Sequence, residues 1–262
     1  MELCFKKVHK ILKMVSRFLN NISHKVISEI VPNNNFDVLM LDVGFDDFNK
    51  FWSKFNTDRI IGVDSKNKNL DVLTFRGKHD YILTDAKKNI FEDHEFTSKI
   101  QKKYSFDIVT SFYSIERYFD SYTSYNNLMT NVSSNLKKGG YFVIIGFSGE
   151  KINTLLSQNP LIEKYYKRSF IWSIEKNYDT YDLNKPNFDV NIKYSVLKGL
   201  IKNKCLSNFD YIVDTAQNYN LEVISQKSLE NYYGNNHTRN QELTKSELDL
   251  CFLNDVLVLK KY

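Results

Sequence analysis

The stretch from residue 38 to residue 64, VLMLDVGFDDFNKFWSKFNTDRIIGVD, decides the fold of this chain. It contains two apolar runs, residues 38–41 and 60–63, and an aspartate follows each run. Continuous apolar runs of this length are typical of parallel strands that are buried on both faces. Between the runs, aromatic residues recur at the three-and-four spacing of a helix: Phe48, Phe51, Trp52 and Phe55. The stretch therefore predicts a strand, a crossover helix and a second, parallel strand.

Residues at the ends of these two strands predict a ligand site. Gly44 lies just past the first strand, and Asp64 ends the second. In such a unit a glycine turn lets a ligand approach the backbone, and the acid accepts hydrogen bonds from both hydroxyls of a ribose. We therefore expect a nucleoside-type cofactor here. Asp42 has two interpretations, as a cap of the following helix or as a residue near the cofactor.

The remaining chain continues the alternation of strands and helices. Apolar runs at 81–83, 106–109 and 141–147 predict three further strands, and a helix over 121–136 is closed by the sequence KKGG. This alternation predicts an α/β protein with a doubly wound, mostly parallel sheet. Runs at 221–226 and 253–260 predict two final strands that pair antiparallel at the sheet edge.

Two segments lie outside this alternation. Apolar residues at helical spacing predict an N-terminal helix over residues 1–31. Its lysine-rich face is either simply solvated or follows the phosphates of a nucleic acid. Residues 157–205 are predicted to form an insertion after the fifth strand, over the strand carboxyl ends, with strands at 165–175 and 187–192. A helix is predicted after the insertion, at 207–219. Because no linker-like stretch divides the chain, we expect residues 1–262 to form a single domain.

Composition narrows the classes of function. The net charge of +5 permits a polyanionic partner without requiring one. Three widely separated cysteines, Cys4, Cys205 and Cys251, argue against a disulfide framework or a bound metal and favour a reducing compartment. We therefore expect a cytoplasmic location, with the nucleus or a viral factory as alternatives. No apolar run is long enough to cross a bilayer, and the N-terminus does not resemble a secretory signal, so we expect no membrane association.

A series of short motifs resembles class I S-adenosylmethionine-dependent methyltransferases: LDVG, GVD, TDA, FDIV and LKKGGYFVI, in the order and spacing of that fold. Residues 106–122, FDIVTSFYSIERYFDSY, are similar to the FDI-x-x-x-Q-F-x-x-HY-x-FESY segment of mRNA cap guanine-N7 methyltransferases. Residues 136–155 and 209–233 also resemble segments of that family, so the resemblance covers nearly the whole chain. It implies a Rossmann-like fold, S-adenosyl-L-methionine as cofactor and capped RNA as substrate.

The resemblance also implies roles for individual residues. It places six near the cofactor: Lys25, Asp42, Gly44, Asp64, Asp85 and Phe112. It places three near the substrate: Tyr113, Glu116 and Arg117. Asp85 falls where the family holds the adenine amino group. Lys25 corresponds, after a one-residue shift, to a lysine near the methionine carboxylate that follows an RNFNNW-like segment, whereas the ungapped match is His24.

The sequence departs from the family pattern in the cap and cofactor pocket. Asp46 occupies the second glycine position of D-x-G-x-G, where the backbone normally approaches the methionine part of the cofactor. The other departures are Phe112 for a glutamine, Glu116 and Arg117 for a His-Tyr pair, Phe147 for a proline and Asn254 for a tyrosine. Structural alternatives stay open for several candidates: core aromatics for Phe112 and Tyr113, a surface ion pair for Glu116 and Arg117, a turn for Asp85 and a solvated side chain for Lys25.

We expect an S-adenosylmethionine-dependent RNA methyltransferase of the cap guanine-N7 type, from a viral or plasmid source. Guanine N7 already carries a lone pair and the sulfonium methyl is already electrophilic, so alignment is sufficient and we assign no catalytic residue. The alternative is a non-catalytic methyltransferase-like subunit that supports a partner capping enzyme, which the departures at Asp46, Glu116 and Arg117 favour. A third hypothesis, a small-molecule methyltransferase, fits the C-terminal resemblance less well.

Overall fold

The computed structural model describes residues 2–31, 35–43, 51–65, 79–100, 105–166, 169–182, 185–195, 202–233 and 243–262. Within these ranges the strands are β1 Phe36–Leu41, β2 Thr57–Asp64, β3 His79–Leu83, β4 Phe106–Phe112, β5 Leu136–Phe147, β6 Leu161–Tyr166, β7 Ser169–Asn177, β8 Asn191–Ser195, β9 Lys202–Cys205, β10 Leu221–Ser228 and β11 Asn254–Lys261. The α-helices are Glu2–Ile30, His94–Lys99, Tyr122–Asn135, Gly149–Gln158, Phe209–Thr215, Leu229–Tyr233 and Lys245–Cys251. Short 3₁₀ helices span Ile90–Glu92, Ile115–Asp120 and Ala216–Tyr219.

Seven strands form one sheet in the order β10-β11-β5-β4-β1-β2-β3. The five strands from β5 to β3 are parallel, whereas β11 pairs antiparallel with both β5 and β10. The sequence-based prediction of a doubly wound, mostly parallel sheet with antiparallel pairing at one edge is therefore confirmed. In sheets of this kind ligands bind beyond the carboxyl ends of the parallel strands.

The central strands are buried on both faces, as their apolar runs predict. Along β1, Leu39 and Leu41 pack into one apolar cluster, while Val38 and Met40 pack into the other. This alternation follows from the two-residue repeat of a strand. Helix Tyr122–Asn135 covers the first face, and the N-terminal helix contributes Ile22, Val26 and Ile27 to the second. The helix predicted over residues 1–31 is confirmed as Glu2–Ile30.

The crossover helix predicted around Phe48 lies mostly outside the described residues, which resume at Phe51. Trp52 is fully buried and its Nε1 donates a hydrogen bond to the sulfur of Met40 at 2.8 Å. Phe51 and Phe55 pack against it with ring centroids 4.9 and 5.6 Å away. The aromatic spacing thus corresponds to a cluster that packs on β1.

The glycine stop predicted at KKGG is wrong in its position. Helix Tyr122–Asn135 ends four residues before Gly139, and the chain passes directly into β5 at Leu136. Gly139 nevertheless has a positive φ of 82°, which glycine adopts without the steric cost of a Cβ. The register between β4 and β5 shifts at this point. The positive φ of Gly139 therefore belongs to an irregular turn of the backbone inside β5 and not to the end of the helix.

The insertion after the fifth strand contains a second sheet, with the order β6-β7-β8-β9 and antiparallel pairing throughout. The prediction of one strand over 165–175 is wrong, because that span includes parts of two antiparallel strands, β6 and β7. The strand predicted at 187–192 lies later, at Asn191–Ser195. Ile171, Trp172 and Ile192 pack with Phe147 and Leu250, so this sheet is attached to the main sheet through an apolar cluster. The assignment of residues 1–262 to one domain stays a prediction.

Candidate active site

Three acidic residues lie together at the carboxyl ends of β1, β2 and β3. Asp42 directly follows β1, Asp64 is the last residue of β2, and Asp85 comes two residues after β3. The register places Leu41 beside Val63 and Asp64 beside Leu83, which makes these strand ends neighbours. Asp42 and Asp64 are only 8% and 3% exposed. We call this group of three carboxylates the acidic hollow; Gly44 and Asp46 lie outside the described residues.

The backbone of Asp42 turns sharply as it leaves β1. Its φ is +58°, a left-handed conformation that aspartate tolerates better than most residues with a Cβ. The Asp42 N–H still donates to the Val63 carbonyl oxygen at 2.8 Å, which holds the turn against β2. Tyr113 has a similar φ of +56° just after β4. Both strands therefore end in strained turns, as is common at ligand sites.

The guanidinium of Arg117 binds the acidic hollow. Its Nη1 donates to Asp42 Oδ1, and its Nη2 donates to Ser65 Oγ at 3.1 Å. The same Nη2 lies 3.9 Å from Asp85 Oδ1. The resemblance assigns Arg117 to the substrate, and the structure brings its side chain to the residues assigned to the cofactor.

Burial raises the pKa of Asp42 to about 6, although the Arg117 guanidinium acts in the opposite direction. The charges of Asp64 and Asp85 raise it further. Asp42 Oδ2 is buried, and the nearby, fully buried hydroxyl of Tyr118 lowers the pKa of Asp42 as a hydrogen-bond donor. Among the described residues, the hollow therefore holds more carboxylates than cations.

A cavity of about 130 Å³ is lined by Glu116, the residue before Arg117 in the 3₁₀ helix Ile115–Asp120, and we call it the aromatic cavity. Its walls come from Val15, Leu19, Tyr113, Glu116, Phe147, Tyr194, Lys204, Leu250, Cys251 and Asn254. Glu116 is 4% exposed, and its Oε1 accepts a hydrogen bond from Lys204 Nζ. Its second oxygen, Oε2, is buried without a hydrogen-bond partner among the described residues. The cavity thus contains a buried carboxylate with a free acceptor.

Aromatic rings surround the Glu116–Lys204 ion pair. Lys204 Nζ lies 5.1 Å from the centroid of Phe147 and 5.5 Å from that of Tyr194. These two rings meet edge to face with centroids 5.4 Å apart. A cation over aromatic faces gains electrostatic attraction, which increases where water is excluded. The ion pair is therefore held in place from both sides, by Glu116 and by the rings.

The aromatic residues at the carboxyl end of β4 contact the N-terminal part of the chain. Phe112 packs edge to face on Phe51 with centroids 6.0 Å apart. The Tyr113 hydroxyl donates to the Leu19 carbonyl oxygen at 3.1 Å and lies 3.1 Å from Ser23 Oγ. Tyr113 therefore joins the N-terminal helix to the wall of the aromatic cavity. It packs as a structural residue and also lines a possible ligand site.

The structure brings Lys25 to the C-terminal part of the chain. Its Nζ donates to the Tyr232 carbonyl oxygen at 3.2 Å, and the side chain is exposed. The neighbouring His24 stacks on Phe55 with centroids 4.5 Å apart. No contact between Lys25 and the acidic hollow occurs in the described residues. Its assignment to the cofactor stays a prediction.

Among the residues that sequence reasoning missed in the aromatic cavity are Tyr194 and Lys204, which contribute an aromatic ring and the cation. They come from β8 and β9 of the inserted sheet, about 80 residues after Glu116. No motif marks these two residues. The one available signal was that they belong to the insertion predicted over the carboxyl ends of the strands. Phe147 and Asn254, noted as departures from the family pattern, both line the cavity.

No helix in the ranges described has the length and apolar character needed to cross a membrane. In the same ranges, histidine, cysteine, aspartate and glutamate side chains form no group of three or more that could hold a metal ion.

Two comparisons with known proteins match most of the chain. The model of the mRNA (guanine-N(7))-methyltransferase domain family matches residues 4–249. The mRNA cap guanine-N(7) methyltransferase 2 of Arabidopsis thaliana is 27% identical over 190 residues, which cover 67% of this chain and 49% of that protein. This chain therefore spans about half the length of that curated relative.

Solved structures of methyltransferases share the fold. An S-adenosylmethionine-dependent methyltransferase from Clostridium acetobutylicum superimposes with a TM-score of 0.59 at 16% identity, covering 98% of this chain and 99% of that one. Another, from Mesorhizobium loti, has a TM-score of 0.58 at 13% identity and covers 90% of this chain and 96% of that one. At these identities the likeness shows the fold alone, and it agrees with the Rossmann-like sheet described above.

Proposed function

The chain belongs to the mRNA (guanine-N(7))-methyltransferase domain family, and from this membership we propose that it transfers a methyl group from S-adenosylmethionine to guanine N7 of an RNA cap. One observation carries the proposal beyond family membership. Two consecutive residues of one 3₁₀ helix, Glu116 and Arg117, contact two different sites, the aromatic cavity and the acidic hollow. A methyltransferase needs a donor site and an acceptor site side by side, and a shared wall provides this.

The residues of the acidic hollow fit the chemistry of the cofactor, which the family uses. S-adenosylmethionine offers an α-ammonium group, two ribose hydroxyls and an adenine amino group, and all of these donate hydrogen bonds. Three carboxylates at adjacent strand ends are acceptors for such groups, and two of them, Asp42 and Asp64, are almost fully buried. We propose Asp42 for the ammonium group, Asp64 for the ribose and Asp85 for the adenine, with Phe112 beside them.

The aromatic cavity fits a single planar base. Its volume of about 130 Å³ is smaller than the roughly 300–1,000 Å³ of pockets for drug-sized ligands. Bases stack well on aromatic side chains such as Phe147 and Tyr194. Guanine presents an N–H and an amino group, from which Glu116 Oε2 could accept hydrogen bonds. Its O6 could accept a hydrogen bond from Lys204. We therefore propose Glu116, Lys204 and Tyr113 as residues of the acceptor site.

Methyl transfer to N7 needs orientation rather than proton transfer. When bound, the cofactor supplies an electrophilic methyl group on a sulfonium. The chain's part is to hold the base, exclude water and align the nitrogen with that methyl, and alignment of this kind can lower a barrier by roughly 7–11 kcal/mol. The methylated ring carries a positive charge, which the carboxylate of Glu116 and the aromatic faces favour. No residue of the chain has to act as an acid or a base.

A second candidate function is a non-catalytic subunit that supports a partner capping enzyme. The contacts of Arg117 with Asp42 and Asp85 favour it, because one guanidinium already engages two residues proposed for the cofactor. Capped RNA is the proposed partner of the first candidate, and a capping enzyme is the proposed partner of the second. The cytoplasmic location and the viral or plasmid source stay predictions.

Calorimetric titration with S-adenosylhomocysteine separates the two candidates. The enzyme should bind it with micromolar affinity, and Asp64→Ala should lose that binding because the ribose hydroxyls lose a charged acceptor worth about 1.5–3 kcal/mol for each hydrogen bond. Asp80→Ala, an exposed acid on β3 outside the hollow, is the matched control. No binding at millimolar ligand would favour the supporting subunit. Methyl transfer to capped RNA, compared with small acceptors, then tests the substrate class.

A further inference from the structure

The Arg117 guanidinium lies among the groups proposed to hold the cofactor. It contacts three successive strand ends: Asp42 after β1, Ser65 after β2 and Asp85 after β3. These are the same strand ends at which an ammonium group, a ribose and an adenine would bind. The guanidinium and the cofactor therefore compete for one set of acceptors.

The charge of this arginine is permanent. A guanidinium is always protonated in proteins, and here the carboxylate of Asp42 raises the pKa of Arg117 further, against the effect of burial. Arg117 therefore cannot release the acids by losing a proton, as a lysine or a histidine could. It can release them only by moving away.

The surroundings of Arg117 allow such a movement. Its side chain is 32% exposed, whereas that of its partner Asp42 is 6% exposed, so part of the Arg117 side chain already contacts solvent. The adjacent Glu116 points into the aromatic cavity and is anchored by Lys204. Arg117 can thus rotate outward while the 3₁₀ helix that carries both residues stays in place.

The counter-ion of Asp42 decides which ligands can replace Arg117. If a ligand displaces the guanidinium without bringing a cation, the buried carboxylate loses its partner, and an unpaired buried charge is strongly unfavourable. A ligand with an ammonium group supplies a replacement cation at the same carboxylate. The exchange then conserves the number of ion pairs.

We propose that Arg117 is an internal competitor for the acidic hollow, and that a nucleoside with its own cation restores at Asp42 the ion pair that it breaks. The proposal rests on the cofactor assignment made under the proposed function and deepens it. Arg117 lowers by the same free energy the affinity for every ligand that displaces it, and a ligand with an ammonium group recovers that loss at Asp42.

The test is a titration of three proteins with two ligands. The ligands are S-adenosylhomocysteine, which has the ammonium group, and 5′-methylthioadenosine, which lacks it. The proteins are the wild type, Arg117→Gln and the control Arg59→Gln, whose guanidinium pairs with Asp37 at the opposite, amino end of the sheet. Arg117→Gln should bind S-adenosylhomocysteine at least about tenfold more tightly than the wild type, and Arg59→Gln should bind it as the wild type does. In the wild type, 5′-methylthioadenosine should bind much more weakly than S-adenosylhomocysteine.

A second measurement separates competition from a general loss of structure. Without ligand, Arg117→Gln should unfold at a lower temperature than the wild type, because Asp42 loses its counter-ion. With S-adenosylhomocysteine, it should gain more thermal stability than the wild type gains. If Arg117→Gln does not fold, Arg117→Lys keeps a cation with only one point of contact and should still bind the ligand more tightly than the wild type.

Each outcome decides something different. Equal or weaker binding of S-adenosylhomocysteine by the folded Arg117 variant, with a wild type that binds it, overturns this inference and leaves the proposed function intact. Binding by the variant but not by the wild type supports the inference most strongly. If neither protein binds the ligand, the cofactor assignment of the proposed function fails, and this inference fails with it.

Discussion

The acidic hollow and the aromatic cavity share one feature, a buried carboxylate paired with a partly exposed cation. The carboxylate side chains of Asp42 and Glu116 are each 6% exposed, and their partners Arg117 and Lys204 are 32% and 25% exposed. The surroundings differ. The first pair lies beside two further acids, and the second lies beside two aromatic rings.

This difference in surroundings determines which ligand each region suits. Among the residues that the structure describes, three carboxylates of the hollow face one guanidinium, so their charges leave a negative surplus that suits a ligand with a cation. In the cavity, one carboxylate faces one ammonium between flat apolar walls, so the charges balance and the region suits a planar group with a polar edge. Two adjacent residues of the chain can therefore serve two chemically different ligands.

The largest expected effect tests the burial of Asp42 in the hollow through the pH dependence of stability. The folded-state pKa of Asp42, about 6, lies above its ordinary value of 3.8. Its stabilisation is therefore fully present below the ordinary value and is lost as the pH rises through about 6. Because asparagine does not ionise, Asp42→Asn should gain up to about 3 kcal/mol in free energy of unfolding, relative to the wild type, between about pH 4 and about pH 8. Urea unfolding at both pH values measures this difference. An equal difference between the two proteins at both pH values would show that burial does not perturb Asp42.

The next effect tests whether the cavity is the acceptor site. Glu116→Gln keeps the shape of the side chain and removes its charge, so kcat/KM for methyl transfer to capped RNA should fall by about 10- to 100-fold. The affinity for S-adenosylhomocysteine should stay unchanged, because that ligand is assigned to the other region. The matched control is Glu175→Gln, since Glu175 forms an exposed ion pair with Lys193 on the inserted sheet. A fall in cofactor affinity with unchanged use of capped RNA would contradict the division into two regions.

The smallest effect concerns the boundary of the hollow. Lys25 is exposed and donates to the Tyr232 carbonyl oxygen, so Lys25→Met should change the affinity for S-adenosylhomocysteine by less than about twofold. Calorimetric titration of the variant beside the wild type measures it. A loss of tenfold or more would place the lysine beside the cofactor, as the family resemblance implies, and would make the hollow less negative than the contacts indicate.

Much of the fold could be predicted from the chain because its signals are local. The apolar runs at 38–41 and 60–63 became β1 and β2, which are buried on both faces, and the parallel register brought their terminal acids together. The hairpin of β6 and β7 was not predicted, because residues 161–177 are rich in strand-forming residues and contain neither glycine nor proline to mark a reversal. Local pattern gives the tendency to form a strand but not the place where it turns back.

The candidate site could be predicted only in part, for the same reason. The acids of the hollow follow strands in sequence, so the rule that parallel strands share their carboxyl ends locates them. Lys204 reaches Glu116 across 88 positions of sequence, through a sheet whose strand pairing no motif specifies. Arg117 was expected on the substrate side, and its contacts with the hollow depend on the direction in which one short 3₁₀ helix presents its side chains.

The sequence by itself determined the doubly wound sheet, the antiparallel pairing of its last two strands and the acids at the ends of the central strands. Periodicity and chain direction are sufficient for these features, because each depends on residues that are close in sequence or on a general rule of parallel sheets. Only the tertiary structure decided which cation each buried carboxylate binds and which aromatic rings surround it. Such pairings depend on the packing of an inserted sheet and on the direction of single side chains, and neither is encoded in a local pattern.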